Sequence, residues 1–290
     1  MKKKKLIKTF TILILLVILI LGSFYLFIPT SDGVKIAKKH GIPHPAIMAH
    51  RGASYYAPEE TKPSFLLAKE IGADYLELDL QETKDGILVA IHDQFLDRIS
   101  NIESVYPDYK KKPVKEFTYA QLQKLDVSTH YKYKYPKQYR ESYKGLNILR
   151  FTDILDIAEQ GDKKIGIYLE TKKPKNYPGI EKKIVNILSK RGWLKNKGKV
   201  IFSSFDIESL KKFKKLAPQI PRFYLVSTKM SKKYGWDNII KTAQETCTGL
   251  GPDGSLGSPW KIAQAHKAGL LVHFYTINKT NHAQLCKSFN

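Results

Sequence analysis

Two carboxylates in the first third of the chain are the residues best suited to do chemistry. Glu77 and Asp79 stand two residues apart in an apolar run, and such residues point to the same side of a β-strand. If Leu76 and Leu78 face packed helices, the carboxylates face the interior of a barrel. Two converging carboxylates repel each other unless a cation lies between them, and oxygen ligands favour a hard ion. The spacing therefore predicts one divalent metal ion, Ca²⁺ or Mg²⁺.

A turn signal after these carboxylates predicts a β-hairpin that returns a histidine to them. The run Thr-Lys-Asp-Gly at 83–86 contains Asp-Gly, a strong hairpin signal, and precedes an alternating segment at 87–92. Folding the chain at Asp-Gly places His92 opposite Asp79. An imidazole with an ordinary pKa of about 6.5 can act there as an acid or as a base.

A third acidic position follows at the end of another predicted strand. Glu170 and Lys172 share a face, so Glu170 could complete the ligands of the metal while Lys172 neutralises a phosphate. Parallel α/β barrels place their catalytic groups at the carboxyl ends of the strands. A lone histidine in a strand is usually structural, and a Glu-Lys pair is usually a surface ion pair. The functional interpretation therefore depends on the occurrence of all these residues at successive strand ends.

The elements that would position these side chains alternate in the pattern of a parallel α/β protein. The seven predicted strands are residues 47–50, 75–79, 165–170, 200–204, 222–227, a short segment near 249, and 270–276. The five predicted helices are residues 63–71, 152–160, 180–191, 207–216 and 259–268. The sequence predicts an α/β fold, a TIM-type (β/α)8 barrel whose last βα unit is missing from the chain.

An insertion at about residues 100–150 interrupts this alternation. Residues 106–144 contain eight Tyr and ten Lys or Arg. Interleaved basic and aromatic residues can bind single-stranded nucleic acid by stacking and phosphate contact. We favour a solvated insertion over the mouth of the barrel, where it could also contact a lipid head group.

The N-terminal segment has the length and charge pattern of a membrane anchor. Residues 9–28 carry no charge and would span roughly 30 Å as a helix, the thickness of a bilayer core. The lysines before them predict a cytoplasmic N-terminus and an extracytoplasmic catalytic domain. The length of the apolar run favours an anchor over a cleaved signal. We divide the chain into an anchor (1–30), a linker (31–45) and a barrel domain (46–290).

The overall charge favours anionic partners. The 290 residues carry a formal net charge of +22, which attracts phosphate esters, anionic lipids or nucleic acid without choosing among them. Hydrophobic residues make up 42% and charged residues 26% of the chain, which excludes collagen-like and disordered proteins.

The motifs around these residues resemble the glycerophosphodiester phosphodiesterase family. In chain order they are His50-Arg51-Gly52-Ala53, Pro58-Glu59-Glu60-Thr61, Gly72-Ala73-Asp74-Tyr75-Leu76-Glu77-Leu78-Asp79, Thr83-Lys84-Asp85-Gly86, His92-Asp93, Glu170-Thr171-Lys172, Ser204-Phe205 and His273-Phe274-Tyr275-Thr276. Their order and spacing match the family over roughly residues 47–278. Tyr-Thr at 275–276, with residues 96–98 and 105–108, is similar to the periplasmic, metal-dependent branch that acts on deacylated phospholipids.

The resemblance implies metal-dependent hydrolysis of glycerophosphodiesters to glycerol 3-phosphate and an alcohol. The resemblance implies that His50 and His92 are the general acid and base, and that Arg51, Lys172, Phe205 and Tyr275 bind the substrate and its phosphate. It implies that one Ca²⁺ or Mg²⁺ ion is held by Glu77, Asp79 and Glu170, with Glu59 in a supporting role. Which histidine is the acid, and whether water or a substrate hydroxyl attacks, stay open. The expected partners are a small phosphodiester and, through the N-terminal helix, a membrane; nucleic acid is not expected.

Two departures from the family pattern stand out. Glu60 occupies a position where the family often has Asn or His, and we expect its side chain to remain solvated. The family pattern also continues with a further strand after the helix that follows residues 273–276, which predicts a barrel domain incomplete at its C-terminal end.

Two other functions compete with the main interpretation. The predicted anchor and the basic surface are compatible with a lysophospholipase D that acts on membrane lysophospholipids. The Tyr- and Lys-rich insertion is compatible with a non-catalytic module that binds anionic lipid or nucleic acid.

Overall fold

A curled sheet of seven parallel strands is the centre of the computed structural model, which describes residues 10–14, 32–161 and 164–288. The strands are β1 (Met48–Ala49), β2 (Tyr75–Glu82), β3 (Leu88–Ala90), β4 (Gly166–Thr171), β5 (Val200–Ser204), β6 (Arg222–Val226), β7 (Gly249–Pro252) and β8 (Leu271–Val272). Their order is β1-β2-β4-β5-β6-β7-β8, while β3 pairs antiparallel with β2. All seven predicted strands are present, and they form a half-barrel of the TIM type. Within the described ranges, β1 and β8 are not paired with each other.

Helices connect these strands and cover the outer face of the sheet. They are α1 (Gly33–His40), α2 (Lys62–Glu70), α3 (Ile102–Val105), α4 (Tyr119–Leu122), α5 (Thr129–Lys134), α6 (Phe151–Glu159), α7 (Ile180–Lys190), α8 (Ile207–Leu216), α9 (Thr228–Tyr234), α10 (Trp236–Gln244), α11 (Pro259–Lys267) and α12 (Thr280–Ser288). Side-chain caps start several of them; Asp206, for example, accepts hydrogen bonds from two backbone N–H groups of α8. The five predicted helices are α2, α6, α7, α8 and α11, each correct to within one residue at either end.

The apolar residues of the strands pack against these helices. Leu76 and Leu78 of β2 belong to one buried cluster with Phe65 of α2. On β5, the ring of Phe202 stacks on that of Phe213 from α8, with 3.8 Å between ring centroids. Because neighbouring residues of a strand face opposite sides, the residues between these apolar ones point into the barrel. The predicted inward orientation of the carboxylates on β2 is therefore confirmed.

Helix α1 lies across the amino-terminal end of the barrel. The segment 31–45, predicted as a linker, contains this helix, which Asp32 caps by accepting a hydrogen bond from the N–H of Lys35 at 3.0 Å. Ala37 is buried in a cluster with the inward-facing Tyr75 and Phe223, near the starts of their strands. The segment therefore forms part of the barrel domain and closes the end opposite to the carboxyl ends of the strands.

The predicted membrane anchor falls almost wholly outside the described residues. Of residues 9–28 only 10–14 are described, and these are helical. In the ranges that the structure describes, every helix is too short or too polar to cross a membrane. The anchor and the side of the membrane on which the catalytic domain lies stay predictions.

The insertion has an apolar core of its own. Short helices α3 and α4 contribute Ile102 and Leu122 to a buried cluster that also includes Val114 and Phe117. The structure has the predicted interruption between β3 and α6, and part of the inserted segment packs into this cluster while many of its other residues are exposed. The high count of Lys and Tyr hid the buried apolar residues between Val114 and Val127.

The imidazole of His273 lies inside the barrel and makes stability depend on pH. Its Nε2 atom is 2.5 Å from the hydroxyl of the buried Tyr168, and burial lowers the pKa of His273 to about 4. Because the unfolded chain has a histidine pKa of about 6.5, it binds more protons than the folded chain between these values. The free energy of unfolding therefore falls as the pH falls from 6.5 towards 4.

The free energy of unfolding of the wild type should fall between pH 7 and pH 5, and we expect His273→Gln to reduce this fall by about 1 kcal/mol. This amount allows for the partial exposure of the ring. Glutamine keeps a polar partner for Tyr168 but does not take up a proton. Urea denaturation at the two pH values measures the difference, with His282→Gln on the exposed face of α12 as control. An identical pH dependence in the wild type and His273→Gln would contradict the prediction.

Candidate active site

Three carboxylates converge at the carboxyl ends of β2 and β4. These strands are parallel neighbours in a register that pairs Asp79 with Glu170, and Glu77 lies two residues before Asp79 on the same face. One oxygen from each of the three side chains lies within 4.8 Å of the others, and all three residues are buried. The structure thus brings together the three residues predicted as metal ligands.

The unsatisfied oxygens of this cluster fit a hard divalent ion. Both carboxylate oxygens of Asp79 and Oε1 of Glu170 are buried and accept no well-oriented hydrogen bond from any described residue. Their partners are ion pairs: Lys172 Nζ lies 3.0 Å from Asp79 Oδ1 and 2.5 Å from Glu170 Oε1. Burying carboxylates without hydrogen bonds is unfavourable, and an all-oxygen donor set is what Ca²⁺ and Mg²⁺ prefer. The residues present therefore fit such an ion.

Burial and mutual repulsion raise the pKa values of this cluster, while the neighbouring cations lower them. Burial, together with the charge of Asp79, raises the pKa of Glu77 well above its ordinary value. Burial also raises the pKa of Glu170 to about 7, against the attraction of Lys172. For Asp79 the effect of burial is outweighed by Lys172 and Arg51, which hold its pKa below the ordinary value. The group titrates as a coupled set, so metal binding must displace protons.

The loop between β1 and α2 places His50 and Arg51 over this cluster. Arg51 has a φ of 57°, and its backbone N–H donates to Glu77 Oε2 at 2.7 Å. Its guanidinium Nε lies 3.3 Å from Asp79 Oδ2. The next residue must be Gly52, because its φ is 78° and a Cβ atom there would lie 2.2 Å from Ser64 Oγ. The His-Arg-Gly motif is thus a tight turn that aims two side chains at the site.

Both histidines lie close enough to Asp79 to affect the pKa of its carboxyl group. Burial and the charge of Arg51 lower the pKa of His50 to about 4, so this imidazole is neutral at pH 7. The charges of both His50 and His92 help to lower the pKa of Asp79, which places both rings near this carboxylate.

The predicted hairpin is confirmed, but its register was wrong by one residue. The N–H of Ile91 donates to the carbonyl of Asp79 at 2.8 Å, so Ile91, and not His92, lies opposite Asp79. A two-residue turn at 85–86 would have given the predicted pairing. The N–H of Thr83 instead donates to Ile87, which leaves a three-residue loop ending at Gly86 with a φ of 80°.

Sequence reasoning gave no role to Asp93 and Arg98, which connect the two halves of the site. Asp93 Oδ1 lies 2.5 Å from His92 Nδ1, and the other oxygen of Asp93 accepts from Arg98 Nε. The two terminal nitrogens of Arg98 donate to Glu59 at 2.9 and 2.6 Å. Glu59 also accepts from Arg51 at 3.0 Å, and its supporting role stays a prediction. The adjacency of Asp93 to His92 was the available signal.

We expect Arg98→Lys to lower kcat by roughly 10- to 100-fold, the usual effect of removing a group that orients a catalytic ligand. A lysine keeps the charge but cannot donate to Asp93 and Glu59 together. The measurement is steady-state hydrolysis of a phosphodiester. Arg191→Lys is a matched control because Arg191 also bridges two acids, Asp156 and Glu159, on the outer surface. Equal rates for the two variants would contradict a positioning role for Arg98.

Comparison with known proteins assigns the family. The Glycerophosphoryl diester phosphodiesterase family matches residues 50–290. The chain belongs to this family. A glycerophosphodiester phosphodiesterase from Bacillus subtilis (strain 168) is 36% identical over 234 residues, which are 80% of this chain and 76% of that protein. Together these similarities identify the chain as a phosphodiesterase.

Solved structures share the fold of this phosphodiesterase. A putative glycerophosphoryl diester phosphodiesterase from Silicibacter pomeroyi DSS-3 superposes with a TM-score of 0.72 at 23% identity, over 88% of this chain and 91% of that one. A phosphodiesterase from Oleispira antarctica, solved in complex with the product sn-glycerol-3-phosphate, has a TM-score of 0.66 and 25% identity, over 85% of this chain and 90% of that one.

Two cavities flank the catalytic centre of the phosphodiesterase. One, of about 730 Å³, is lined by His50, Arg51 and tyrosines of the insertion. The other, of about 830 Å³, is lined by His92, Lys172 and Phe205. The rings of Phe205 and Tyr275, both predicted to bind substrate, meet edge to face at 5.8 Å between centroids.

The expectation that Glu60 is solvated was wrong. Its side chain is only 5% exposed, and Oε1 accepts from the N–H of Asp79 at 2.7 Å. Burial and the charge of Asp79 raise the pKa of Glu60 well above its ordinary value. The cause lies in the backbone, since Glu60 has a φ of 56° and donates its N–H to the carbonyl of Arg51, which turns the side chain inward. Asn adopts this conformation readily, which fits the resemblance to families with Asn here.

Proposed function

We propose that this phosphodiesterase hydrolyses glycerophosphodiesters to glycerol 3-phosphate and an alcohol, with one divalent metal ion. The observation that carries the proposal is the convergence of Glu77, Asp79 and Glu170 beside Lys172 and Arg51. The names of the relatives, and the glycerol 3-phosphate bound to the Oleispira antarctica protein, support this substrate class.

The charges of the site suit a phosphodiester. Three carboxylates and two cationic side chains, Lys172 and Arg51, leave a formal charge of about minus one, which a divalent ion would change to plus one. When bound at the carboxylates, such an ion supplies Lewis-acid polarisation of a phosphoryl oxygen. Lys172 and Arg51 neutralise the remaining charge of the phosphate and fix its orientation.

The two histidines can divide the proton transfers. Asp93 holds Nδ1 of His92, so Nε2 faces the substrate, and a carboxylate behind an imidazole stabilises the protonated ring. This arrangement favours His92 as the acid that protonates the departing alkoxide. His50, which lacks a carboxylate of this kind among its recorded contacts in the described residues and is neutral at pH 7, is suited to accept the proton of the nucleophile.

The decisive experiment is hydrolysis of a glycerophosphodiester by the purified full chain. We expect release of glycerol 3-phosphate that stops with EDTA and recovers when Ca²⁺ or Mg²⁺ is added in excess. Activity that survives complete chelation would contradict the metal requirement. Absence of hydrolysis with every divalent ion tested would contradict the proposed activity itself.

We also propose that residues 9–28 anchor the enzyme in a membrane with the catalytic domain on the extracytoplasmic side. The uncharged run and the lysines that precede it support this location. Cell fractionation, followed by protease treatment of intact cells or spheroplasts, tests it. Recovery of the full chain in the soluble cytoplasmic fraction would exclude the anchor.

A further inference from the structure

Four tyrosines line the cavity that contains His50 and Arg51, which we call the tyrosine cavity. Tyr55 and Tyr56 come from the loop between β1 and α2, and Tyr131 and Tyr135 from the insertion. The ring of Tyr55 lies 5.1 Å from that of Tyr56 and 5.3 Å from that of Tyr135, both nearly edge to face. The four tyrosines line the same space as His50 and Arg51, next to the position proposed for the reacting phosphate.

Hydrogen bonds hold this wall in place. The hydroxyl of Tyr131 donates to the carbonyl of Tyr55 at 2.7 Å, and that of Tyr143 donates to the carbonyl of Tyr56 at 3.2 Å. The rings of Tyr55 and Tyr56 nevertheless remain 53% and 54% exposed. Exposed aromatic rings on a fixed backbone form a preorganised surface for a ligand, at little entropic cost of ordering.

The electrostatics of the tyrosine cavity disfavour a cation. Among its described lining residues Glu59 is the only acid, and its carboxylate already binds two arginines. Lys134 lines the cavity, and its Nζ lies 5.2 Å from the centroid of the Tyr135 ring. A quaternary ammonium group prefers the face of an aromatic ring. Here the ammonium group of Lys134 already lies beside the ring of Tyr135 and would repel it.

We propose that the tyrosine cavity holds the alcohol arm of the substrate and selects uncharged, polyhydroxylated alcohols such as glycerol or inositol over choline. Ring faces of Tyr55 and Tyr56 can pack on the carbon skeleton of a polyol, while Lys134 and His130 can hydrogen-bond to its hydroxyls. This inference rests on the proposed function, because it names the substrate class of the same site.

The test compares kcat/KM of the full chain for glycerophosphoinositol and glycerophosphocholine with the same divalent ion. We expect the inositol diester to be favoured by about tenfold, which corresponds to about 1.4 kcal/mol. Equal values, or a preference for choline, would overturn the selectivity while leaving the proposed function intact. Hydrolysis of neither diester would overturn both.

A charge-reversal variant tests whether the selectivity comes from the tyrosine cavity or from the overall positive charge of the protein. Lys134→Glu is expected to shift the ratio towards choline by roughly fivefold, since a partly exposed ion pair contributes modestly and the sign of the charge is inverted. The matched control is Lys233→Glu, because Lys233 Nζ lies 5.0 Å from the Tyr234 ring and neither residue lines the tyrosine cavity. Tyr55→Ala should raise KM for the inositol diester more than for the choline diester. A ratio that Lys134→Glu and Tyr55→Ala leave unchanged would overturn the proposal.

Discussion

Glu77→Gln is expected to lower kcat by about a thousandfold and to abolish tight binding of Ca²⁺ or Mg²⁺. A metal ion contributes several kcal/mol of charge stabilisation in the transition state, and each 1.36 kcal/mol is a factor of ten in rate. Glutamine has almost the same shape as glutamate. Its amide oxygen can still accept the hydrogen bond that the N–H of Arg51 donates to Glu77 at 2.7 Å. The turn that carries His50 should therefore survive the substitution.

Isothermal titration with each ion and steady-state kinetics at saturating metal measure this effect. Glu159→Gln is the control, because Glu159 also accepts side-chain hydrogen bonds, from Arg191 and Trp193, but lies on α6 outside both cavities. If Glu77→Gln bound the ion as tightly as the wild type, the three-carboxylate site would be wrong.

His92→Gln and His50→Gln are each expected to lower kcat by at least about 100-fold while metal affinity stays within a few-fold of the wild type. Positioned acid and base groups typically contribute 10²- to 10⁴-fold in rate. The carboxylates alone form the predicted ion site, so removing an imidazole separates proton transfer from metal binding. The retained metal affinity distinguishes these variants from Glu77→Gln, which is expected to lose both rate and metal binding.

The histidine variants have their own control and a clear contrary result. His40→Gln lies on α1 at the opposite end of the barrel, and we expect it to retain the wild-type rate. A histidine variant with unchanged kcat, or one that loses the metal as completely as Glu77→Gln does, would contradict the division of roles.

Local patterns predicted the strands and the carboxylate cluster, because both follow from side-chain alternation. Leu76 and Leu78 face the helices, so Glu77 and Asp79 face inward whatever the details of the barrel. Which strands are neighbours depends on the whole fold, yet the carboxyl ends of parallel strands share one end of the barrel, and this sufficed to place Glu170.

What escaped prediction depends on backbone conformation and distant contacts. The hairpin register changed by one residue because the turn has three loop residues and not two, a choice that Asp-Gly alone does not specify. The burial of Glu60 follows from its left-handed backbone, and the ion pairs of Arg98 join residues up to 39 positions apart. Neither has a periodic signal in the sequence.

Helix α1 blocks one of the two ends of the barrel through which a substrate could enter. Because this helix closes the amino-terminal end of the barrel, its N-cap Asp32 lies at the end away from the three carboxylates. If residues 9–28 are a tether in the bilayer, the mouth of the barrel opens towards the surrounding water. A lysophospholipid would have to leave the bilayer before it reached His50, whereas a water-soluble diester diffuses in directly. If the proposed anchor is correct, the position of this helix would favour soluble glycerophosphodiesters over lysophospholipids as substrates.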